Sequence, residues 1–143
     1  MKRTLLKIFL ATMLGLLVSS GVSAEERIKV VYHIVDGLDQ AARALANIRN
    51  HLRAEPGVQI VVVANGNGIK FLLKGAQDRD GKPFDAAVRA LAEQGVEFRA
   101  CRNTMTAHEI PESDLLPEAK LVPSGVAEVA RLQAREGFVY LRP

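Results

Sequence analysis

Cys101 is the single cysteine of the 143-residue chain, and the residues around it bear on thiol chemistry. Arg99 and Arg102 flank it, and Asn103 and Thr104 follow. The thiolate, not the thiol, is the nucleophile; nearby cations and the free N–H groups of a helix start lower its pKa. If Asn103 or Thr104 caps a helical turn, Cys101 gains such N–H groups. A sulfur in that setting can carry a persulfide or form a mixed disulfide. The competing reading is a small buried apolar residue, since free Cys is among the most buried types. One Cys excludes an internal disulfide framework and a Cys-rich zinc module.

Other residue types offer weaker chemistry. Asn65-Gly66-Asn67-Gly68 contains a GxG, but Phe71 stands where a dinucleotide fingerprint needs its third Gly. The loop reads as a tight turn needing positive φ, or as backbone N–H groups lining a small anion or persulfide pocket. His33, His51 and His108 show no metal-ligand spacing. His33 falls in a strand, suiting a core or subunit contact, and His51 falls on a solvated helix face. His108 follows Cys101 closely enough to form a Cys–His pair if the segment folds back. Glu109, Glu112, Asp114 and Glu118 read as a solvated acidic loop. Neither a cofactor nor a metal is implied by these residues.

The elements that position these groups alternate. Arg27 to Val35 and Val58 to Ala64 are strands rich in Val and Ile. Between them Leu38, Ala41, Ala42, Leu45, Ile48 and Leu52 recur at helical spacing, and Pro56-Gly57 ends that helix. Ile69 to Leu73 suits a short helix. Phe84, Ala87, Val88 and Leu91 mark another, with Gly95 just past its end. Val96 to Cys101 is the third strand. Arg102 to Ala119 reads as irregular, with room for one short helical turn. Lys120 to Val122 is a short fourth strand, Ser124 caps a helix running to Glu136, and Phe138 to Leu141 is the last strand. This order predicts an α/β layered fold with a mainly parallel sheet, whose ligands meet the loops at the carboxyl ends of the strands. Those loops are Asp36-Gly37, Asn65 to Gly68, and Cys101 to Thr104.

The N-terminus differs from the rest. Lys2, Arg3 and Lys7 precede an apolar run from Ile8 to Val18, and Val22-Ser23-Ala24 closes the segment. This pattern predicts a cleavable export signal over residues 1–24, with periplasmic delivery. The apolar run, about 11 residues, is shorter than the roughly 20 of a spanning helix, so no stable membrane insertion is expected after cleavage. The whole chain carries a net charge of +3, with 19 Lys+Arg and 16 Asp+Glu. The leader holds three of the basic residues and no acidic one, so residues 25–143, read as one domain, are formally neutral. No basic patch interleaved with aromatics remains, which argues against nucleic-acid binding.

The chain from Ile28 to Pro143 resembles the DsrE/DsrF-like family, in its small single-domain branch. The resemblance rests on Lys29-Val30-Val31-Tyr32-His33, then Cys101-Arg102-Asn103-Thr104-Met105, Asp114-Leu115-Leu116-Pro117 and Val122-Pro123-Ser124-Gly125-Val126. It continues through Glu128, Arg131-Leu132-Gln133, Glu136-Gly137-Phe138, Tyr140 and Pro143. It implies a three-layer α/β/α fold with a five-stranded sheet, and assembly into trimers, hexamers or mixed complexes. It further implies sulfur relay as a Cys persulfide between donor and acceptor proteins, with Cys101 at the acceptor position. Arg102, Asn103, Thr104, His108 and the Asn65–Gly68 loop are the expected pocket. The alternative is a non-catalytic oligomeric module binding an anion or small molecule, with Cys101 as packing.

Overall fold

The structure, a computed structural model, describes residues 27–143. The expected leader, residues 1–24, lies outside the described residues. Five strands form one sheet: β1 (Lys29–Ile34), β2 (Gln59–Ala64), β3 (Glu97–Cys101), β4 (Ala119–Val122) and β5 (Val139–Leu141). Their order is β4-β3-β2-β1-β5, and every pairing is parallel. Parallel neighbours require crossovers, and α1 (Leu38–Ala54), α2 (Phe84–Glu93) and α4 (Gly125–Glu136) supply three of the four.

Alternation along the strands divides the core in two. Val30, Tyr32, Ile34, Ile60, Val62, Phe98 and Ala100 face a layer containing α1, α2 and the 3-10 segment Gly66–Leu72. Val31, Val61 and Val63 face Val129, Leu132 and Phe138 on and beside α4. The result is the expected α/β/α sandwich. On α1, Ala41, Ala44, Leu45 and Ile48 are buried, so a stripe at helical spacing packs on the sheet. Phe71, fully buried, meets Phe84 and Phe98 edge-on, with ring centres 5.9 and 6.2 Å apart. The residue that breaks the dinucleotide pattern is therefore a core aromatic.

Local stop signals operate as the sequence indicates. Ser124 Oγ accepts the Ala127 N–H at 3.4 Å, and Gly137 ends α4 at φ +72°. Gly68 meets a tighter constraint: a Cβ there would overlap the Ile34 carbonyl at the end of β1. Buried Gln40 ties the same region together. Its Oε1 accepts the Val35 and Asp36 N–H groups at 2.7 and 2.8 Å, and its Nε2 donates to the Pro143 carbonyl at 3.3 Å.

The segment after Cys101 differs from the expectation. Arg102–Ala107 is a helix, α3, and Glu112–Asp114 is a 3-10 turn. Only Met105 of α3 is buried, so no apolar period marks it in the sequence. Long-range contacts hold it: Met105 joins the core, and the Asn103 N–H donates to the Pro123 carbonyl at 3.3 Å. Among the described residues no helix is long and apolar enough to cross a membrane.

Candidate functional site

Cys101 ends β3 and occupies the N-cap position of α3, with extended backbone at φ −74°, ψ 114°. The sequence pointed to Asn103 or Thr104 as the cap. The cysteine itself stands there, which brings its sulfur to the first free N–H groups of the helix. Ala64 of β2 pairs with Ala100 of β3, so Asn65 and Cys101 are the next positions along neighbouring strands. Both side chains lie under the start of α4. A Cβ on Gly125 would come within 3.0 Å of the Asn65 Cβ and 3.2 Å of the Cys101 Cβ. Glycine there lets the α4 backbone approach the sulfur.

The electrostatics follow from this geometry. Cys101 is 5% exposed, and burial pushes its thiol pKa up. The Thr104 hydroxyl and the backbone N–H groups of Gly125, Thr104 and Asn103 outweigh burial, and bring the thiol below its ordinary range. Thr104 Oγ1 also accepts the Gly66 N–H at 3.0 Å, which leaves its hydroxyl proton free to donate to the sulfur. Three helical starts thus converge on one atom: α3 and α4 through their N–H groups, and the 66–72 segment through Thr104. A neutral thiol benefits little from such donors, and a thiolate or a terminal sulfur anion benefits most.

The arginines do not share this task. Arg99 lies two residues before Cys101 on the same face of β3. It pairs with Glu97 at 2.8 Å and with Glu128 of α4. Burial pulls the Arg99 guanidinium down, but these two carboxylates hold it above its usual range. Its charge is committed to them. Arg102 is exposed and pairs with Glu112 on the surface.

The expected pocket is therefore assembled in part. Asn65, Gly66, Asn103 and Thr104 gather around Cys101. Gly68 instead packs beneath the end of β1, and Asn67 is exposed beside Gly37. His108 caps the far end of α3 and is exposed. At about 1.5 Å of rise per residue it stands roughly 10 Å from Cys101 along the axis. A helix longer than the single turn read from the sequence carries it away from the sulfur.

Other site residues carried weak sequence signals. Gly125 follows the Ser124 cap, and nothing in its type announces contact with Cys101. His33 donates from Nε2 to Asn65 Oδ1 at 2.7 Å, and its Nδ1 meets the Tyr140 hydroxyl at 3.0 Å. The sequence placed His33 in a strand as a core or subunit contact and gave no pointer to Asn65 or Tyr140. His51, expected on a solvated face, bonds the Tyr32 hydroxyl through Nδ1 at 3.0 Å. The acidic segment is mostly exposed, although Glu118 is paired with Arg89 at 3.4 Å and Glu112 with Arg102.

Fold and site together define a small parallel α/β/α protein with one cysteine at the carboxyl edge of its sheet. Residues 15–142 match the model of the DsrE/DsrF-like family, and the chain belongs to that family. Among solved structures it is similar to MTH1491 of Methanobacterium thermoautotrophicum, a protein of unknown function. The two are 34% identical with a TM-score of 0.71, over 81% of this chain and 99% of that one. It also shares its fold with the YchN protein of E. coli, at 14% identity and a TM-score of 0.60, over 82% of this chain and 98% of that one. A comparison with curated proteins returned no match.

Proposed function

We propose that the protein accepts sulfane sulfur on Cys101 and holds it as a persulfide for transfer. The observation that carries this reading is the meeting of the Thr104 hydroxyl with the Gly125, Thr104 and Asn103 N–H groups at one buried sulfur. Membership of a family associated with sulfur relay supports it. In the loading step the Cys101 thiolate attacks the outer sulfur of a donor persulfide, R–S–SH. The donor S–S bond breaks, R–S⁻ leaves with the electron pair, and Cys101–S–SH forms. The sulfur keeps its oxidation level, so no separate oxidant is required. The new terminal sulfur ionises readily and meets the same donors.

The proposal includes the setting. The leader-like pattern of residues 1–24 supports export to the periplasm. Exposed Val126, Val139 and Leu141 support assembly of several copies, and a donor or acceptor protein would meet the carboxyl edge of the sheet.

The low exposure of Cys101 favours a second reading, in which the cysteine is packing in a non-catalytic oligomeric module. Alkylation kinetics separate the two. Iodoacetamide should label native Cys101 at neutral pH at a rate comparable to, or above, that of the unfolded chain. Slow native labelling that becomes fast on unfolding would favour the packing role and count against the acceptor.

A further inference from the structure

A row of polar side chains crosses the sheet toward Cys101 on the face that α4 covers. Tyr140 stands on β5, His33 on β1, Asn65 at the end of β2 and Cys101 at the end of β3, in the spatial order of the strands. The amide oxygen of Asn65 can only accept, so His33 Nε2 carries the proton in their 2.7 Å bond. In the neutral ring Nδ1 is then an acceptor, matched by the Tyr140 hydroxyl at 3.0 Å. The Tyr140 ring packs edge-on against His33, with centres 5.7 Å apart. The tautomer and plane of His33 are thereby set, and His33 in turn sets the Asn65 amide.

The orientation matters because of what it leaves over. With Oδ1 held toward β1, Nδ2 is turned away from β1. Among the described residues Nδ2 has no protein partner, and it is not a buried, unsatisfied atom. The Asn65 Cβ and Cγ pack against Gly125 at the point where the Cys101 Cβ also packs. The leading donors that lower the pKa of the thiol itself are Thr104, Gly125 and Asn103. Asn65 and Cys101 follow a paired position on neighbouring strands and meet at Gly125, so an amide donor turned away from β1 faces the strand that carries the sulfur.

We infer that Asn65, oriented by His33, is a positioning residue for the outer sulfur of a Cys101 persulfide. This rests on the sulfur-acceptor reading above. It assigns the two donor sets different targets. The helix starts stabilise the inner sulfur before loading, and the Asn65 Nδ2 donates to the terminal sulfur after it arrives. An amide suits that task because it donates without adding a charge that would repel a sulfur anion.

The test uses the full chain with inorganic tetrasulfide as donor. Cys101–S⁻ takes one sulfur from S₄²⁻, giving Cys101–S–S⁻ and S₃²⁻. For each variant the rate of persulfide formation is divided by the rate of iodoacetamide alkylation, so that changes in access or thiolate fraction cancel. Asn65→Ala should lower this ratio by about tenfold or more, the value of one hydrogen bond to a charged group. Asn65→Asp, of the same shape but without the donor, should also lower it and serves if Asn65→Ala does not fold. His33→Ala should lower it, and His33→Gln, whose amide can still donate to Asn65 Oδ1, should restore it. A ratio unchanged in the Asn65 variants, or His33→Gln behaving as His33→Ala, overturns the inference while the acceptor reading stands. No adduct on the wild type overturns both.

Discussion

The Gly66 N–H donates to Thr104 Oγ1 across 3.0 Å, joining the end of β2 to the start of α3. The two residues are far apart in sequence, and the bond has two effects. It satisfies a free donor at the start of the 66–72 segment. It also occupies an acceptor site of the hydroxyl, directing its proton toward the Cys101 sulfur.

Thr104→Val keeps the shape of the side chain and removes both roles. The Gly66 N–H then loses its partner, at a cost of about 1–3 kcal/mol where it is shielded from water. The Cys101 thiol should titrate closer to its ordinary range, because a leading stabilising hydrogen bond is gone. The pH profile of native alkylation should shift to higher pH, and urea unfolding should show the loss of stability.

Gly125→Ala places a Cβ 3.0 Å from that of Asn65 and 3.2 Å from that of Cys101. Neither neighbour is the free end of a flexible side chain, so the start of α4 must withdraw. Overpacking of this kind costs about 1–3 kcal/mol. Native alkylation near neutral pH should slow more than in a control substitution on the far side of α4, such as Arg135→Ala.

Glu128 receives Arg131 at 2.8 Å and also Arg99. The Arg131 hydrogen bond, opposed by burial and reinforced by Arg99, holds its carboxyl below the usual range. A carboxylate with a depressed folded pKa stabilises the fold above its unfolded pKa. That contribution is lost as pH falls through the folded value. Glu128→Gln should therefore be less stable than wild type at neutral pH, with the gap closing in acid. Thermal unfolding across pH checks this; a gap that widens in acid would reverse the assignment.

Particular residues show what the sequence made legible. The β1 and β2 strands were visible because their Val and Ile runs are buried on both faces. The limits of α4 were visible because Ser124 and Gly137 act locally. Cys101 stood out by type and by its place at a strand end. The α3 helix was legible only as a single turn because Met105 is its lone buried residue, and partners such as Pro123 hold it. The length of α3 decides the position of His108, which ends on the far side of that helix from Cys101. Gly125, His33 and Tyr140 were hidden for another reason. Each joins the site through neighbours distant in sequence, and the strand order that brings β5, β1, β2 and β3 into a row is a property of the folded sheet.

The central claim is that Cys101 takes up and holds sulfur, and intact mass tests it most directly. The full chain and its Cys101→Ser variant are incubated with inorganic polysulfide, freed of excess and weighed. The account predicts a gain of one sulfur atom on the wild type, removed by reductant, and no gain on the variant. An unmodified wild type, or equal gains on both chains, would contradict it.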